Sequence, residues 1–281
     1  MSKNIDNKVV THFGLEWSHF DQSGVPSDEL RKTFQRYFAK FPWESLPQNA
    51  KGFDLGCGSG RWAQLCAPRV AELHCIDPSR EALDVAKTKL SDHANCRFHL
   101  AAVDAIPLPD GSMDFGYSLG VLHHIPDPGE GLRNCTSKLK ANAPFLLYLY
   151  YAFDNRPFWF KAVWRCSDIL RRAVSRLPHT SKLVICNLIG FLVYLPLSRI
   201  AQIAGRLGVS ARNLPLWAYR DKSFYTLKTD AFDRFGTQLE HRFTKKQIEE
   251  MMIAADLERI EFNEEEPFWC AVGYKSPKEV S

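Results

Sequence analysis

From about residue 51 the chain alternates short apolar runs with stretches in which apolar side chains recur every three or four positions. The runs at 52–55, 72–76, 97–101 and 113–119 predict strands, and the patterns at 61–67, 79–90 and 129–140 predict helices. Residues 144–151 are apolar throughout and rich in aromatics, as a strand buried on both faces requires. Further on, Thr244 caps a helix that runs to about 255, and 257–262 and 268–274 predict two more strands. Strands alternating with helices argue for a parallel sheet covered on both sides. Ahead of residue 51, residues 1–26 read as irregular, with Phe13, Trp17 and Phe20 as an aromatic cluster. Ser27 then caps a helix carrying Leu30, Phe34, Phe38 and Phe41 until Pro42 stops it.

A different pattern fills the space between the fifth strand and Thr244. Residues 158–177 plot as a helix with an apolar, partly aromatic face that includes Phe158, Trp159, Val163, Ile169 and Leu170. Lys161, Arg165, Asp168, Arg172 and Arg176 fall between those positions and form the other face. An apolar run follows at 183–197, interrupted by Asn187 and Gly190 and broken near its end by Pro196. It falls short of the roughly 20 residues a spanning helix needs, so the expectation is a segment that does not cross a membrane: either it lies on one, or the insertion is a helical cap that buries its apolar face on the sheet and leaves its arginines in water.

Charge sharpens this division. The 281 residues carry a net charge of only +4, yet 156–217 holds ten Lys and Arg against a single acid, Asp168. That stretch is +9 and the remainder −5. Such asymmetry speaks about partners rather than fold. The composition, 45% hydrophobic and 24% charged, excludes disorder, collagen and small disulfide scaffolds. Eight cysteines stand without a Cys-x-x-Cys pair and read as buried reduced thiols. With no signal peptide legible at the N-terminus, the expected location is cytoplasmic, peripheral to the inner face of the membrane if the basic segment docks there.

The first strand runs straight into Asp54-Leu55-Gly56-Cys57-Gly58-Ser59-Gly60, where glycines let the backbone turn and approach a ligand closely. A dinucleotide-binding loop would place Gly or Ala three residues after Gly58, and Arg61 stands there instead. Asp54 just before the loop suits a cationic ligand better than a pyrophosphate. Asp77 ends the second strand 19 residues beyond Gly58, where a carboxylate accepts from ribose hydroxyls. Asp104 follows the third strand and is placed to accept from an adenine amino group.

Taken in this order, these motifs resemble those of class I S-adenosylmethionine-dependent methyltransferases of the kind found in quinone and small-molecule biosynthesis. Ile76-Asp77-Pro78, Met113-Asp114-Phe115 and Leu122-His123-His124-Ile125-Pro126-Asp127 add to the likeness, which covers 51–151 and, loosely, 244–281. The resemblance implies a doubly wound, mostly parallel seven-stranded sheet with an antiparallel last strand and a helical insertion after the fifth. It implies S-adenosyl-L-methionine as cofactor, with Asp54, Gly56, Gly58 and Gly60 around its methionine part, Asp77 on the ribose, Asp104 on the adenine and Leu119 beside the sulfonium. The organisation it suggests is an N-terminal helical lid at 1–50, with Trp17 and Phe20 over the cleft or packed in the core. A cofactor-binding core at 51–153, a substrate-capping insertion at 154–243 and a closing segment at 244–281 follow. Some quinone-pathway relatives hold a divalent metal with glutamates near the fourth strand, but Gly120 and Val121 stand here, so no metal is expected.

Methyl transfer is an in-line displacement, and much of its catalysis comes from alignment. An acceptor hydroxyl also needs a base, for which His123 and His124 are the candidates and His241 a second choice. The expected activity is O-methylation of a small-molecule or lipid-linked acceptor, with membrane-surface contact through 156–217. Nucleic acid fits less well, because the aromatics of the insertion share its apolar face instead of interleaving with arginines. The alternatives are a cofactor-binding scaffold without turnover and a methyltransferase acting on RNA.

Overall fold

The computed structural model describes residues 4–207 and 213–277, so Arg212 of the basic segment lies outside the described residues. The chain divides into two compact units, one of residues 1–22, 31–152 and 239–281 and one of residues 23–30 and 153–238.

The first unit is built on seven strands: β1 (Lys51–Leu55), β2 (Glu72–Asp77), β3 (Cys96–Leu100), β4 (Phe115–Leu119), β5 (Pro144–Tyr148), β6 (Leu257–Phe262) and β7 (Ala271–Lys275). Their order across the sheet is β3-β2-β1-β4-β5-β7-β6, with β7 antiparallel to both neighbours and the other pairs parallel. The chain moves outward from β1 to β3 and then returns to place β4 on the other side of β1. That reversal opens a crevice beyond the carboxyl ends of β1 and β4, where ligands bind in open sheets. Phe53, Phe145, Leu147 and Leu149 are fully buried in the core on the inner strands. Beside the sheet, α4 (Arg80–Lys89) is capped by the Ser79 hydroxyl and closed by Lys87 and Lys89 in its last turn. Equally local signals set α10 (Lys245–Ile253), where Thr244 and Gln247 form a reciprocal capping box. This unit also contains α3 (Ala63–Cys66) and α5 (Pro128–Thr136).

The N-terminal segment departs from the irregular structure expected of it. Asp6 accepts from the amides of Lys8 and Val9 and starts α1 (Asn7–His19). The helix went unread because polar side chains occupy its inner face: His12 and Glu16, one turn apart and 3.6 Å from each other, are both buried. The next helix, α2 (Ser27–Tyr37), starts at the expected serine and stacks Phe34 on Phe38 beyond its end.

The second unit contains α6 (Phe158–Val174), α7 (His179–Ile189), α8 (Leu195–Arg206) and α9 (Phe224–Gly236). Helix α6 does not separate the two predicted faces: Arg165, Arg172 and Arg176 are exposed along with most of the apolar side chains. Its inner side carries Asp168 and Arg171, only 7% and 6% exposed and paired at 2.6 Å. Arg171 also donates to the carbonyl of Thr237 at 2.8 Å, and Arg172 reaches the other oxygen of Asp168 at 2.9 Å. Phe158 and Ile169 are 83% and 72% exposed, and Trp159, Val163 and Leu170 accompany them outside. Cys166 is exposed there too, whereas the other seven cysteines are buried; all eight are free thiols.

Helices α7 and α8 join through a π turn at Gly190–Tyr194 into one 28-residue helix, His179–Arg206, long and apolar enough to cross a membrane. This corrects the expectation that the 183–197 run is too short. Pro196 does not end the helix because it sits in the first turn after the π turn. There the wider backbone loop absorbs its missing N–H and its ring.

Candidate active site

At the end of β1 the chain turns through the glycine loop. Gly56 and Gly58 have φ of +75° and +52°, a region costly for other residues. A Cβ on Gly56 would lie 2.3 Å from Val121, and one on Gly58 would lie 2.9 Å from the indole nitrogen of Trp17 on α1. Trp17 therefore lies against the loop, while Phe20 is buried in the core. Gly60 faces α4, with Leu90 and Ala86 at 3.1 and 3.3 Å from its would-be Cβ.

Asp77 ties this loop to β2. One carboxylate oxygen accepts from the amide of Gly58 and the other from the amide of Ser79, both at 2.9 Å. Burial nevertheless pushes its carboxyl up to about 6, against the pull of those two amides. Asp54, paired in register with Tyr117 of β4, is more deeply enclosed. Burial pushes its carboxyl up to about 8, opposed by the Tyr117 hydroxyl and reinforced by the charge of Asp77. Its Oδ2 is buried with no hydrogen-bond partner among the described residues. Asp104 accepts from the backbone amide of Asn4 at 3.2 Å, and Asn4 in turn exchanges two 2.8 Å hydrogen bonds with the backbone of Asp127. Leu119 is buried at the end of β4, and Gly120 follows with φ +81° and no atom within 4 Å of a would-be Cβ. Open space at that point borders the crevice.

Just past Gly120, a turn at Leu122–His124 carries both candidate bases. His123 is fully buried, and both ring nitrogens lack a hydrogen-bond partner among the described residues. It stacks on Tyr150, centroids 3.8 Å apart, and touches His124 at 4.0 Å. Burial, then the charges of His124, Arg242 and His241, hold its pKa well below the ordinary histidine value. A buried polar ring without partners costs about 1–3 kcal/mol, so such a group calls for a ligand or water to satisfy it. His124 differs. Its Nδ1 lies 2.7 Å from the carbonyl of Leu239, which can only accept, so Nδ1 carries the proton and Nε2 is the basic nitrogen. Its ring also lies 5.0 Å from that of Phe13 on α1.

The segment ahead of α10 completes the cluster. The amide of His241 donates to the carbonyl of His123 at 2.9 Å, which fixes 239–243 alongside the histidine turn. The His241 ring keeps a buried Nε2 without a partner among the described residues. Arg242 lies over the other part of the Tyr150 environment, 5.0 Å from its ring, donating to Glu240 at 2.7 Å and to the Tyr151 carbonyl at 3.3 Å. Tyr150, Glu240 and Arg242 were absent from the expected site. The cue was available in two places: three tyrosines at the end of the fifth strand, and an acid, a histidine and an arginine in succession before Thr244. Among the described residues, no three His, Cys, Asp or Glu side chains are arranged to hold a metal ion.

A parallel sheet closed by one antiparallel strand, a glycine loop after β1 and acids after β2 and β3 define the class I methyltransferase architecture. Residues 53–147 match the family model described as a methyltransferase domain. The chain is 31% identical over 104 residues to an uncharacterized methyltransferase of Bacillus subtilis, covering 36% of this chain and 41% of the relative. It is 26% identical over 106 residues to the ubiquinone biosynthesis O-methyltransferase of Coxiella burnetii, covering 37% and 44%. These matches span less than half the length of either relative. A solved S-adenosylmethionine-dependent methyltransferase from Aquifex aeolicus shares the fold, with a TM-score of 0.51 at 12% identity over 92% of this chain and 96% of its own. Over residues 53–147 the chain is similar to the S-adenosylmethionine-dependent methyltransferase domain, and its sheet has the fold of those enzymes. The site fits that cofactor: its ammonium and sulfonium cations match the buried carboxyl of Asp54 with its unpartnered oxygen.

Proposed function

We propose that the protein methylates an oxygen of a small-molecule or lipid-linked acceptor, using S-adenosyl-L-methionine. When bound, that cofactor supplies an electrophilic methyl group on a sulfonium. Asp54, Gly56, Gly58 and Gly60 would hold its methionine part, Asp77 its ribose and Asp104 its adenine, with Leu119 and Gly120 beside the sulfur. The observation that carries the acceptor side is His123, buried beyond the open space at Gly120 with two unsatisfied ring nitrogens.

His123 would accept the hydrogen bond of the acceptor hydroxyl and take its proton as the oxygen attacks. Its strongly depressed pKa makes it a weak base, because base strength falls with pKa. An acidic hydroxyl, a phenol or a carboxylic acid, therefore suits this site better than an alkyl alcohol. Tyr150 holds the His123 ring by stacking, and the His241 amide anchors the turn that carries it. His124, whose Nδ1 proton is committed to Leu239, would present its Nε2 as the second candidate base beside it. The ubiquinone-pathway relative, an O-methyltransferase by name, agrees with an oxygen acceptor. We place this activity in the cytoplasm, at or near the inner membrane face.

The test is transfer of labelled methyl to a panel of phenols, carboxylic acids and alkyl alcohols. His123→Ala should lower turnover on the preferred acceptor by about a hundred-fold to ten-thousand-fold, the usual contribution of a general base. Binding of S-adenosylhomocysteine should change less than two-fold. Full turnover by the variant would remove His123 from the chemistry, and label incorporated only into nucleic acid would replace the acceptor class.

A further inference from the structure

The second unit turns its large apolar side chains outward on two separate helices. On α6 the outward residues are Phe158, Trp159, Val163, Ile169 and Leu170, while an ion pair occupies the inside. The 28-residue helix repeats the arrangement. Val184, Leu188, Leu192, Ile200, Ile203 and Leu207 are all exposed, at spacings of three, four or eight that keep them on one stripe. Its inner side carries the smaller or more polar Cys186, Gly190, Ser198 and Ala201, together with Tyr194. Gly190 sits so close to α9 that a Cβ would meet the Cα of Lys228 at 3.4 Å. The stripe runs for about 35 Å at 1.5 Å per residue, far more exposed apolar surface than a soluble monomer ordinarily presents.

Charge decides what covers it. Arg165 and Arg176 are exposed on and just after α6, and Arg206 is exposed at the end of the long helix. The one acid of the 156–217 segment, Asp168, is buried in its ion pair, so the described part of this face presents no carboxylate. Two copies meeting through such faces would oppose their arginines with no acid between them. An anionic lipid surface supplies both what the apolar stripe and what the arginines need. The helix is long enough to span a bilayer, but its inner side packs on α9, which carries Lys228, Asp230, Asp233 and Arg234. Those charges exclude a spanning orientation surrounded by hydrocarbon.

We propose that the outward sides of α6 and of the 28-residue helix dock on an anionic bilayer leaflet, with their apolar side chains in the headgroup–acyl boundary and the arginines on the phosphates. This interface stands independently of the methyl-transfer reading.

The full chain is sedimented with sucrose-loaded vesicles of phosphatidylcholine alone or with 30 mol% (about one-third) phosphatidylglycerol, at low and high salt. The protein should bind the anionic vesicles, and binding should weaken at least about ten-fold at high salt. Arg165→Gln with Arg176→Gln should weaken it about 25-fold, about five-fold for each arginine lost near the surface. Ile169→Glu with Leu192→Glu should abolish it while leaving the melting temperature and S-adenosylhomocysteine affinity unchanged, since both side chains point outward. Absence of binding to anionic vesicles at low salt overturns the proposal. So does binding that survives the double glutamate variant. Sedimentation velocity showing a dimer that the same variant dissociates would assign the face to a second copy instead.

Discussion

Asp54 offers the sharpest test of the cofactor site, because its ionisation and a cationic ligand must be coupled. Without a bound cation, burial holds its carboxyl at about 8 instead of 3.8. About 99% of it is therefore protonated at pH 6 and about half at pH 8. A bound ammonium or sulfonium favours the carboxylate, so binding expels a proton wherever the acid form dominates. Affinity should rise with pH below 8 by up to about ten-fold per unit, or about 50-fold between pH 6 and pH 8, and level off above. Titration calorimetry with S-adenosylhomocysteine in buffers of different ionisation enthalpy reads both the affinity and the released proton. Asp54→Asn should bind weakly at pH 8, lose most of the slope and release less than half a proton. The same shift acts on stability with a defined sign. The folded value exceeds the unfolded one, so the fold disfavours ionisation and stability is lost as pH rises from about 4 to about 8. Asp54→Asn should melt above wild type, with the gap widening from pH 5 to pH 8. An affinity independent of pH in wild type, or an equal slope in the variant, would refute the assignment of Asp54 to the ligand cations.

Two further perturbations probe the loop. Asp77→Ala removes the acceptor for the Gly58 and Ser79 amides as well as the proposed ribose contact, and should weaken S-adenosylhomocysteine binding at least about a hundred-fold, about 2.7 kcal/mol; near-wild-type titration would sink the ribose assignment. Gly58→Ala sets a methyl 2.9 Å from the Trp17 indole at a φ of +52°, and should lower both cofactor affinity and thermal stability, by about 1–2 kcal/mol for the backbone alone. Adding Trp17→Ala to that variant should restore part of the loss, measured by the same titration, because it relieves the collision though not the backbone cost.

The sheet was legible because its strands are bounded by local signals. Ser79 and Thr244 cap their helices as read, and β6 occupies the predicted residues. The glycine loop was legible for a related reason: a turn that admits no Cβ writes itself as glycine. The acceptor side was only half legible. His123 and His124 are contiguous and follow a strand, whereas Glu240, His241 and Arg242 come from more than a hundred residues away. A backbone hydrogen bond from His241 to His123 brings them in, and no spacing in the sequence announces it.

The insertion shows a different limit. Periodicity in α6 established that two faces exist, one apolar and one charged, but a helical wheel has no inside. The usual assignment buries the apolar face, since burial at about 25 cal/mol per Å2 outweighs most alternatives in water. Here Asp168 pairs with Arg171, and Arg171 reaches the Thr237 carbonyl, so this one ion pair turns inward while Arg165 and Arg176 stay exposed beside the apolar side chains. Such burial of charge is rarely a net gain in stability. An orientation that leaves Phe158 and Ile169 in water therefore makes energetic sense only if water is not what they meet. Exposed arginines beside that apolar surface, with Asp168 buried in its ion pair, are what make an anionic bilayer the proposed partner in place of a second protein face.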